Sequence, residues 1–492
     1  MSMTSASSQY FEQVAGQWDD LRQGYFSESL RAEAIAKAYL RPEMVVADVG
    51  SGTGFIAAGL APLVKQVHVI DGSPAMLAVA RQNLAAFGNV VYHEAGADHL
   101  PLPDNSLDAV FANMLLHHCP DPLAAIREMT RVLRPGGRLV ISDMDAHEYT
   151  WLKEEMADEW PGFERAQLLG WLEQAGLVNR LVACSGQSCC ATSQQAGQST
   201  PEARISVFIA VGSQPVKGVH AAVQAGYGAR AEGQGGCCTP AAGGQSTTTV
   251  QSCCAPASSS RLAPPAQSCC GPAEVEIDAT IFDPAYTGSQ LKAVPAEAAE
   301  IALGCGNPTA LAGMQPGEVV VDIGSGGGLD AFLAAQAVGP AGKVIGVDMT
   351  PAMLKRARRA AEKAGLHQVE FRRGQAEALP VEDASADVIL SNCVINLTED
   401  KGKVFDEAFR VLRPGGRLEV SDMVTSGSFP AAVQGDAGSW AGCVAGALPE
   451  QEYLDLIAQA GFEEVRVRRS PAASMYGGVS VYSITVSARK LK

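Results

Sequence analysis

The chain has no block of lysine and arginine, few aromatic residues (6%) and no apolar run long enough to cross a bilayer. Each shortage removes a class of function. A formal net charge of −16 without a basic cluster repels phosphate backbones and offers no counterion release, so no nucleic-acid partner is expected. Without a membrane-length apolar stretch, and with a first eleven residues that lack a basic start followed by an apolar core, the reading is a cytoplasmic chain with no membrane partner. CxxC spacings are missing as well, which argues against zinc knuckles.

What the chain does have is 47% hydrophobic residues, 51 glycines, 27 prolines and 13 cysteines in 492 residues. That length exceeds what one core organises, so two domains and a linker are expected, in a monomer. In a large chain without a secretory signal, cysteines point to redox or soft-ion chemistry rather than to disulfides. Cys189-Cys190, Cys237-Cys238, Cys253-Cys254 and Cys269-Cys270 are adjacent pairs, whereas Cys119, Cys184, Cys305, Cys393 and Cys443 stand alone.

A repeat of about 275 residues dominates the organisation. VVADVGSGTG at 45–54 returns as VVVDIGSGGG at 319–328, VIDGSPAML at 69–77 as GVDMTPAML at 346–354, and RVLRPGGRLVISDM at 131–144 as RVLRPGGRLEVSDM at 410–423. Short β-branched runs alternate with Ala/Leu-rich amphipathic stretches, the pattern of parallel-rich sheets flanked by helices. The expected division is a first domain at 1–212, a linker with Cys-Cys pairs at 213–274 and a second domain at 275–492. ARISVFIAVG at 203–212 reads as the last strand of the first domain, and VKGVHAAVQAGYGARAEG at 216–233 could supply the first helix of the second. From about Ala191 to Pro272 the remaining composition is too poor in apolar residues to fold on its own.

In each copy a glycine loop follows the first strand, where backbone must approach a ligand closely at a helix N-terminus. An acid precedes each loop (Asp48, Asp322), placed to order it or to receive an ammonium group. A second acid closes strand two (Asp71, Asp348), suited to ribose hydroxyls, and a third stands before the following Leu-Pro (Asp98, Glu377), within reach of an adenine amine. The ordered motifs VxDxGSGxG, xxDxxPxML, LPxxDxSxDxxxxN and VLRPGGRL resemble class I S-adenosylmethionine-dependent methyltransferases over nearly all of both copies. The resemblance implies two tandem α/β Rossmann-like domains that bind S-adenosylmethionine. Its ligands would be Asp48, Gly50, Gly52, Gly54, Asp71, Asp98 and Asn113 in the first, and Asp322, Gly324, Gly326, Gly328, Asp348, Met349, Glu377 and Asn392 in the second. A Rossmann-like NAD domain is the competing reading of the same loops.

The second copy adds IALGCGNPTALAGM before its loop, SNCVINLTEDK after strand four and SWAGCVAGALPEQEYLDLIAQAGF near its end. These segments resemble arsenite methyltransferases, which implies that Cys305, Cys393 and Cys443 coordinate As(III). A further upstream cysteine is implied too, with Cys269 or Cys270 as candidates. Trivalent arsenic is thiophilic, so thiolates suit it, and rate would come from aligning arsenic with the methyl group rather than from a general base. The implied substrate is arsenite or its thiol conjugates, and the products are mono- and dimethylated arsenicals in arsenic detoxification. An external thiol reductant, thioredoxin or glutathione, would restore the thiols oxidised in returning arsenic to the trivalent state. The linker pairs Cys237, Cys253 and Cys269 begin 16 residues apart, read either as metalloid capture or as expansion of a tolerated tract.

The first copy lacks this thiolate set, with Met114 at the position of Cys393. YFEQVAGQWDDLRQGYFSESLR and the GQSCC segment resemble methyltransferases fused to arsenic-type regulators, which names no acceptor. His117-His118-Cys119 reads either as a packed lip of the cofactor pocket or as a metal or proton-transfer group, and Trp151, Trp160 and Trp171 as packing. Two other functions fit parts of the chain: methylation of a quinone- or phenol-like acceptor, and non-enzymatic sequestration of metalloid by the Cys pairs.

Overall fold

The structure is a computed structural model that describes residues 5–23, 25–192, 202–232, 286–301, 304–429, 431–440, 442–476 and 478–491. The pairs at 237–238, 253–254 and 269–270 lie outside the described residues, as do the readings built on them.

Strands of the first half are β1 (Val45–Val49), β2 (Gln66–Asp71), β3 (Val90–Glu94), β4 (Leu107–Asn113), β5 (Leu133–Met144), β6 (Val178–Thr192) and β7 (Glu202–Ser213). The second half has β8 (Val319–Ile323), β9 (Lys343–Asp348), β10 (Val369–Arg373), β11 (Ala386–Asn392), β12 (Leu412–Thr425), β13 (Glu463–Tyr476) and β14 (Val479–Arg489). They form two sheets of one topology, β3-β2-β1-β4-β5-β7-β6 and β10-β9-β8-β11-β12-β14-β13. The first five strands of each sheet run parallel, and the last two pair antiparallel at one edge.

Helices cover both faces of the parallel part, so strands such as LDAVFAN and VVVDI are almost wholly buried and read as continuous apolar runs. The order reverses between β1 and β4, and again between β8 and β11. Strands there part at their carboxyl ends and leave the crevice in which open α/β sheets bind ligands.

Two segments read from the sequence take a definite place. The strand expected at 203–212 is β7, and it pairs with β6 through Cys189↔Ile205 and Thr192↔Glu202. The Ser/Gly/Cys-rich composition of β6 hid a strand that buries Leu181 and Cys189. Within the segment 216–233, offered from sequence as a first helix of the second domain though counted in the 213–274 linker, Val219–Ala231 is a helix whose Val219 and Val223 pack in one cluster with Cys305, Cys393, Trp440 and Cys443. It belongs to the second half's ligand crevice.

The halves meet along a polar seam. Arg138 of β5 donates to Glu452 Oε2 at 2.9 Å and Oε1 at 3.2 Å, with both side chains buried. Asn179, at φ 51°, donates its backbone N–H to Asp400 and accepts from Lys401 N at 2.9 Å. Arg180 pairs with Asp400 at 2.9 Å, and Gln459 bridges Val182 N and the Arg180 carbonyl. The helix Lys401–Val411 of the second half therefore starts against a corner of the first.

Candidate active sites

In the second half, Gly328 (φ 92°) is the left-handed N-cap of the helix Leu329–Val338, and a Cβ there would stand 2.8 Å from Phe371. Only glycine lets the loop turn so tightly. Asp348 holds this loop from the neighbouring strand, accepting Gly326 N at 3.0 Å and Thr350 N at 2.7 Å. Asp322 is buried, with one carboxylate oxygen accepting Ala331 N and the other, Oδ2, without a partner. Burial, then the Asp330 and Asp348 charges, push it well above the usual carboxylate range. Glu377 Oε1 meets His220 Nε2 at 2.9 Å, while its Oε2 is also buried and unpartnered.

These groups line one open pocket of about 1000 Å³ with Met349, Asn392, Cys393, Tyr227 and Tyr286. Two orphaned carboxylate oxygens and a loop ringed with N–H groups suit a ligand with an ammonium, hydroxyls and an amine, which is the donor set of S-adenosylmethionine.

The three cysteines converge at the wall of this pocket. Cys393 follows β11 at φ 59° and Cys443 sits in a turn at φ 63°, left-handed conformations that non-glycine residues hold only where surroundings compel them. All three are buried; the Cys305 and Cys393 sulfurs lie within 4.8 Å of each other, and Cys443 Sγ reaches the Cys393 carbonyl at 3.7 Å. The neighbouring Cys305 and Cys443 thiols, with burial, push Cys393 well above its ordinary value. The Cys393 thiol beside it holds Cys443 below its own, assisted by the Tyr227 hydroxyl 3.2 Å away. Burial raises Cys305. Ligand atoms of Cys305, Cys393 and Asp422 all lie within 4.8 Å of one another.

Asn392 braces the first of these cysteines: its Oδ1 accepts Cys305 N at 3.1 Å, and its Nδ2 donates to Gly306 O, the Tyr286 hydroxyl and Asp330. Read from sequence as a cofactor ligand, it also lines the pocket. Lys401, wholly buried, donates to the Asn396 and Thr398 carbonyls and lies 4.8 Å over the Trp440 ring. It thus ties the loop after Cys393 to the segment before Cys443. Burial lowers its pKa to about 8.

The first half repeats the cofactor frame. Asp71 accepts Gly52 N and Ser73 N, each at 2.8 Å, and Asp48 accepts Ala57 N at 2.9 Å. Burial pushes Asp48 up to about 7. Asp48, Gly50, Gly52, Asp71 and Asn113 line one pocket with Met114 and His118, while Gly54 is the left-handed N-cap of the helix Phe55–Leu60. Asp98 lines a neighbouring one with Gly72 and Glu94. Leu115 borders both, and its side chain crowds Gly50.

His117 Nδ1 is 2.6 Å from Asp143 Oδ1, and its ring tilts against His118 at 4.0 Å between centroids. Burial lowers the His117 pKa, but the Asp143 and Asp158 carboxylates outweigh it and raise the value to about 9. Cys119 is buried and is not among the groups that could share an ion with these histidines. Trp160 and Trp171 pack edge to face, and Trp160 donates to the Cys119 carbonyl, so they serve as packing.

Sequence reasoning missed His220, Gln224 and Tyr227, which reach Glu377, the Met349 carbonyl and Cys443 from one helix. Their i, i+4, i+7 spacing was the available signal. Tyr286 and Asp330, paired at 2.6 Å, were missed too.

Family models described as a methyltransferase domain match residues 47–141 and 314–461. The chain is 53% identical over 172 residues to an arsenite methyltransferase of Halobacterium salinarum, covering 35% of this chain and 44% of that protein. It is 37% identical over 225 residues to the arsenite methyltransferase of Aquipseudomonas alcaligenes (42% and 64%) and 38% over 152 residues to the human one (29% and 40%). It thus spans between 40% and 64% of the length of these relatives. Among solved structures, an arsenic(III) S-adenosylmethionine methyltransferase from Chlamydomonas reinhardtii matches at 36% identity and TM-score 0.38, over 41% of this chain and 73% of that one. In fold and in matched sequence, both halves of the chain are methyltransferase domains of the Rossmann-like class I type.

Proposed function

We propose that the second half is an S-adenosylmethionine-dependent arsenite methyltransferase, producing mono- and dimethylated arsenicals as a detoxification step. The observation that carries the reading is the meeting of Cys305, Cys393 and Cys443, from three separate segments, beside the pocket lined by Asp322, Asp348 and Glu377. The arsenite methyltransferases among the relatives support it.

When bound, S-adenosylmethionine supplies an electrophilic methyl group. Asp322 Oδ2 would take its ammonium, the loop held by Asp348 its ribose end, and Glu377 its adenine amine. The chain then needs no general base. Thiolates hold the soft As(III) substrate in a pyramid with its lone pair free, and Cys443, held low by Cys393 and Tyr227, is the thiol readiest to ionise. Methylation takes arsenic formally to the pentavalent state. Two chain thiols closing to a disulfide return the two electrons, and an external thiol such as thioredoxin or glutathione reopens it. Cys269 or Cys270 is the proposed further thiol.

The deciding assay supplies purified chain with S-adenosylmethionine, arsenite and a thiol reductant, and separates arsenic species by chromatography. Methylarsenicals are expected from the wild type and only background from Cys393→Ser; their absence from the wild-type reaction sinks the reading. The first half is proposed as a second S-adenosylmethionine-binding methyltransferase with a different acceptor, since it places Met114 where the second places Cys393.

A further inference from the structure

The same point of the fold is chemically loaded in both halves. Asp143 and Asp422 occupy corresponding positions near the ends of β5 and β12, each accepting the backbone N–H of a residue shortly after the neighbouring strand (Leu116 at 2.9 Å, Asn396 at 3.1 Å). In the second half, thiols of Cys305 and Cys393 gather beside Asp422. In the first half, imidazoles gather beside Asp143 instead: ligand atoms of His117, His118 and Asp158 all lie within 4.8 Å of one another, and all three residues are buried.

We propose that the first half binds a divalent metal ion of borderline softness, zinc foremost, through His117 Nε2, His118 Nδ1 and the Asp158 carboxylate, with Asp143 orienting His117. Imidazole and carboxylate are the donors such ions prefer. The 2.6 Å contact of His117 Nδ1 with Asp143 keeps a proton on that nitrogen, so Nε2, 3.8 Å from Asp158 Oδ1, is the nitrogen that would give up its proton to the ion. A carboxylate behind a histidine is the arrangement that fixes tautomer and orientation in metal sites. His118 Nδ1 lies 3.7 Å from the same Asp158 oxygen and 3.4 Å from the Ala157 carbonyl, too far for a firm hydrogen bond to either. Ligand atoms bonded at about 2 Å to one tetrahedral ion stand slightly closer than these separations, so modest side-chain movement closes the site.

A divalent ion would also balance the two buried carboxylates, Asp143 and Asp158. Three protein ligands leave a position for water or for an oxygen or sulfur of the acceptor. His118 lines the pocket that holds Asp48, Asp71 and Met114, so an acceptor on the ion would lie beside the cofactor groups.

The test uses the full-length chain, stripped by a chelator under thiol reductant and titrated with Co2+; the chain's thiols take such ions too, so difference measurements are needed. Wild type should take up one equivalent more than His118→Gln and Asp158→Asn. The difference spectrum should carry visible ligand-field bands without a thiolate-to-cobalt charge-transfer band. Asp143→Asn should weaken that equivalent by about 10–100-fold. Equal uptake in wild type and both variants overturns the proposal and leaves a buried ion network. A charge-transfer band in the difference overturns it too, moving the ion to a thiol such as Cys189. Should the variants lose the wild-type circular dichroism, Co2+-loaded wild type decides: a hyperfine-shifted, slowly exchanging imidazole N–H from His117 is expected, and its absence counts against the site.

Discussion

Tyr227 is a residue whose hydroxyl can be removed without reshaping its surroundings. Tyr227→Phe deletes the 3.2 Å contact to Cys443 and lets that thiol rise toward its ordinary value. A lost hydrogen bond of about 1 kcal/mol corresponds to roughly fivefold weaker arsenite binding, measurable by calorimetry under reducing conditions. Gly446 gives a harsher case. A Cβ there would overlap the Asn396 carbonyl oxygen and stand 2.6 Å from the Trp440 ring, so Gly446→Ala must push the Cys443 turn off the Cys393 loop. Destabilisation of about 1–3 kcal/mol is expected in denaturant melts, with arsenic methylation falling more steeply than cofactor binding. At this scale Asp48, Asp71, Asp322, Asp348 and the loop glycines were legible because their chemistry is written in a few adjacent letters. Tyr286 and Asp330 were not, since a tyrosine and an aspartate 44 residues apart form a pair only after folding.

The helix Val219–Ala231 shows what element-level reading can and cannot reach. Its small residues mute the periodicity, so a helix is legible but not its destination in the second half's pocket. Docking rests partly on His220, whose pKa is raised chiefly by its hydrogen bond to Glu377. The sign follows: a histidine raised in the folded state contributes fully below its unfolded value, about 6.5, and that contribution fades as pH rises through the folded value. Hydrogen exchange in 219–231, corrected for intrinsic rates, should therefore be slowest below about pH 6.5 and quicken above it. In His220→Ala this trend should flatten; an unchanged profile would dismiss the link. The hairpin of β6 and β7 was half legible, for β7 is apolar and β6 is written in residues that usually mark loops.

Over the whole molecule, the repeat and its parallel order were plain in the sequence, whereas the seam was invisible. Arg138 and Glu452 are 314 residues apart, and Asn179 meets Lys401 across 222. Nothing local announces such partners. Arg138→Ala leaves Glu452 as a buried charge without its cation, a loss of about 3–5 kcal/mol. Calorimetry should show the second half melting earlier, and methylation of arsenite should weaken because Lys401 sits both at the seam and between the two cysteine segments.

The corner at Asn179 has a twin. Glu464 holds the same left-handed conformation (φ 50°) at the corresponding place of the second half, and it is exposed. Asp121, the counterpart of Asp400, caps the matching helix of the first half and is exposed as well. A head-to-tail joint of this kind does not close on itself and is the geometry from which open filaments grow. A second chain attempting to extend the series would set Glu464 against Asp121, carboxylate to carboxylate. Like charge thus meets like at the counterpart of the very corner where Asn179 and Asp400 join the two halves.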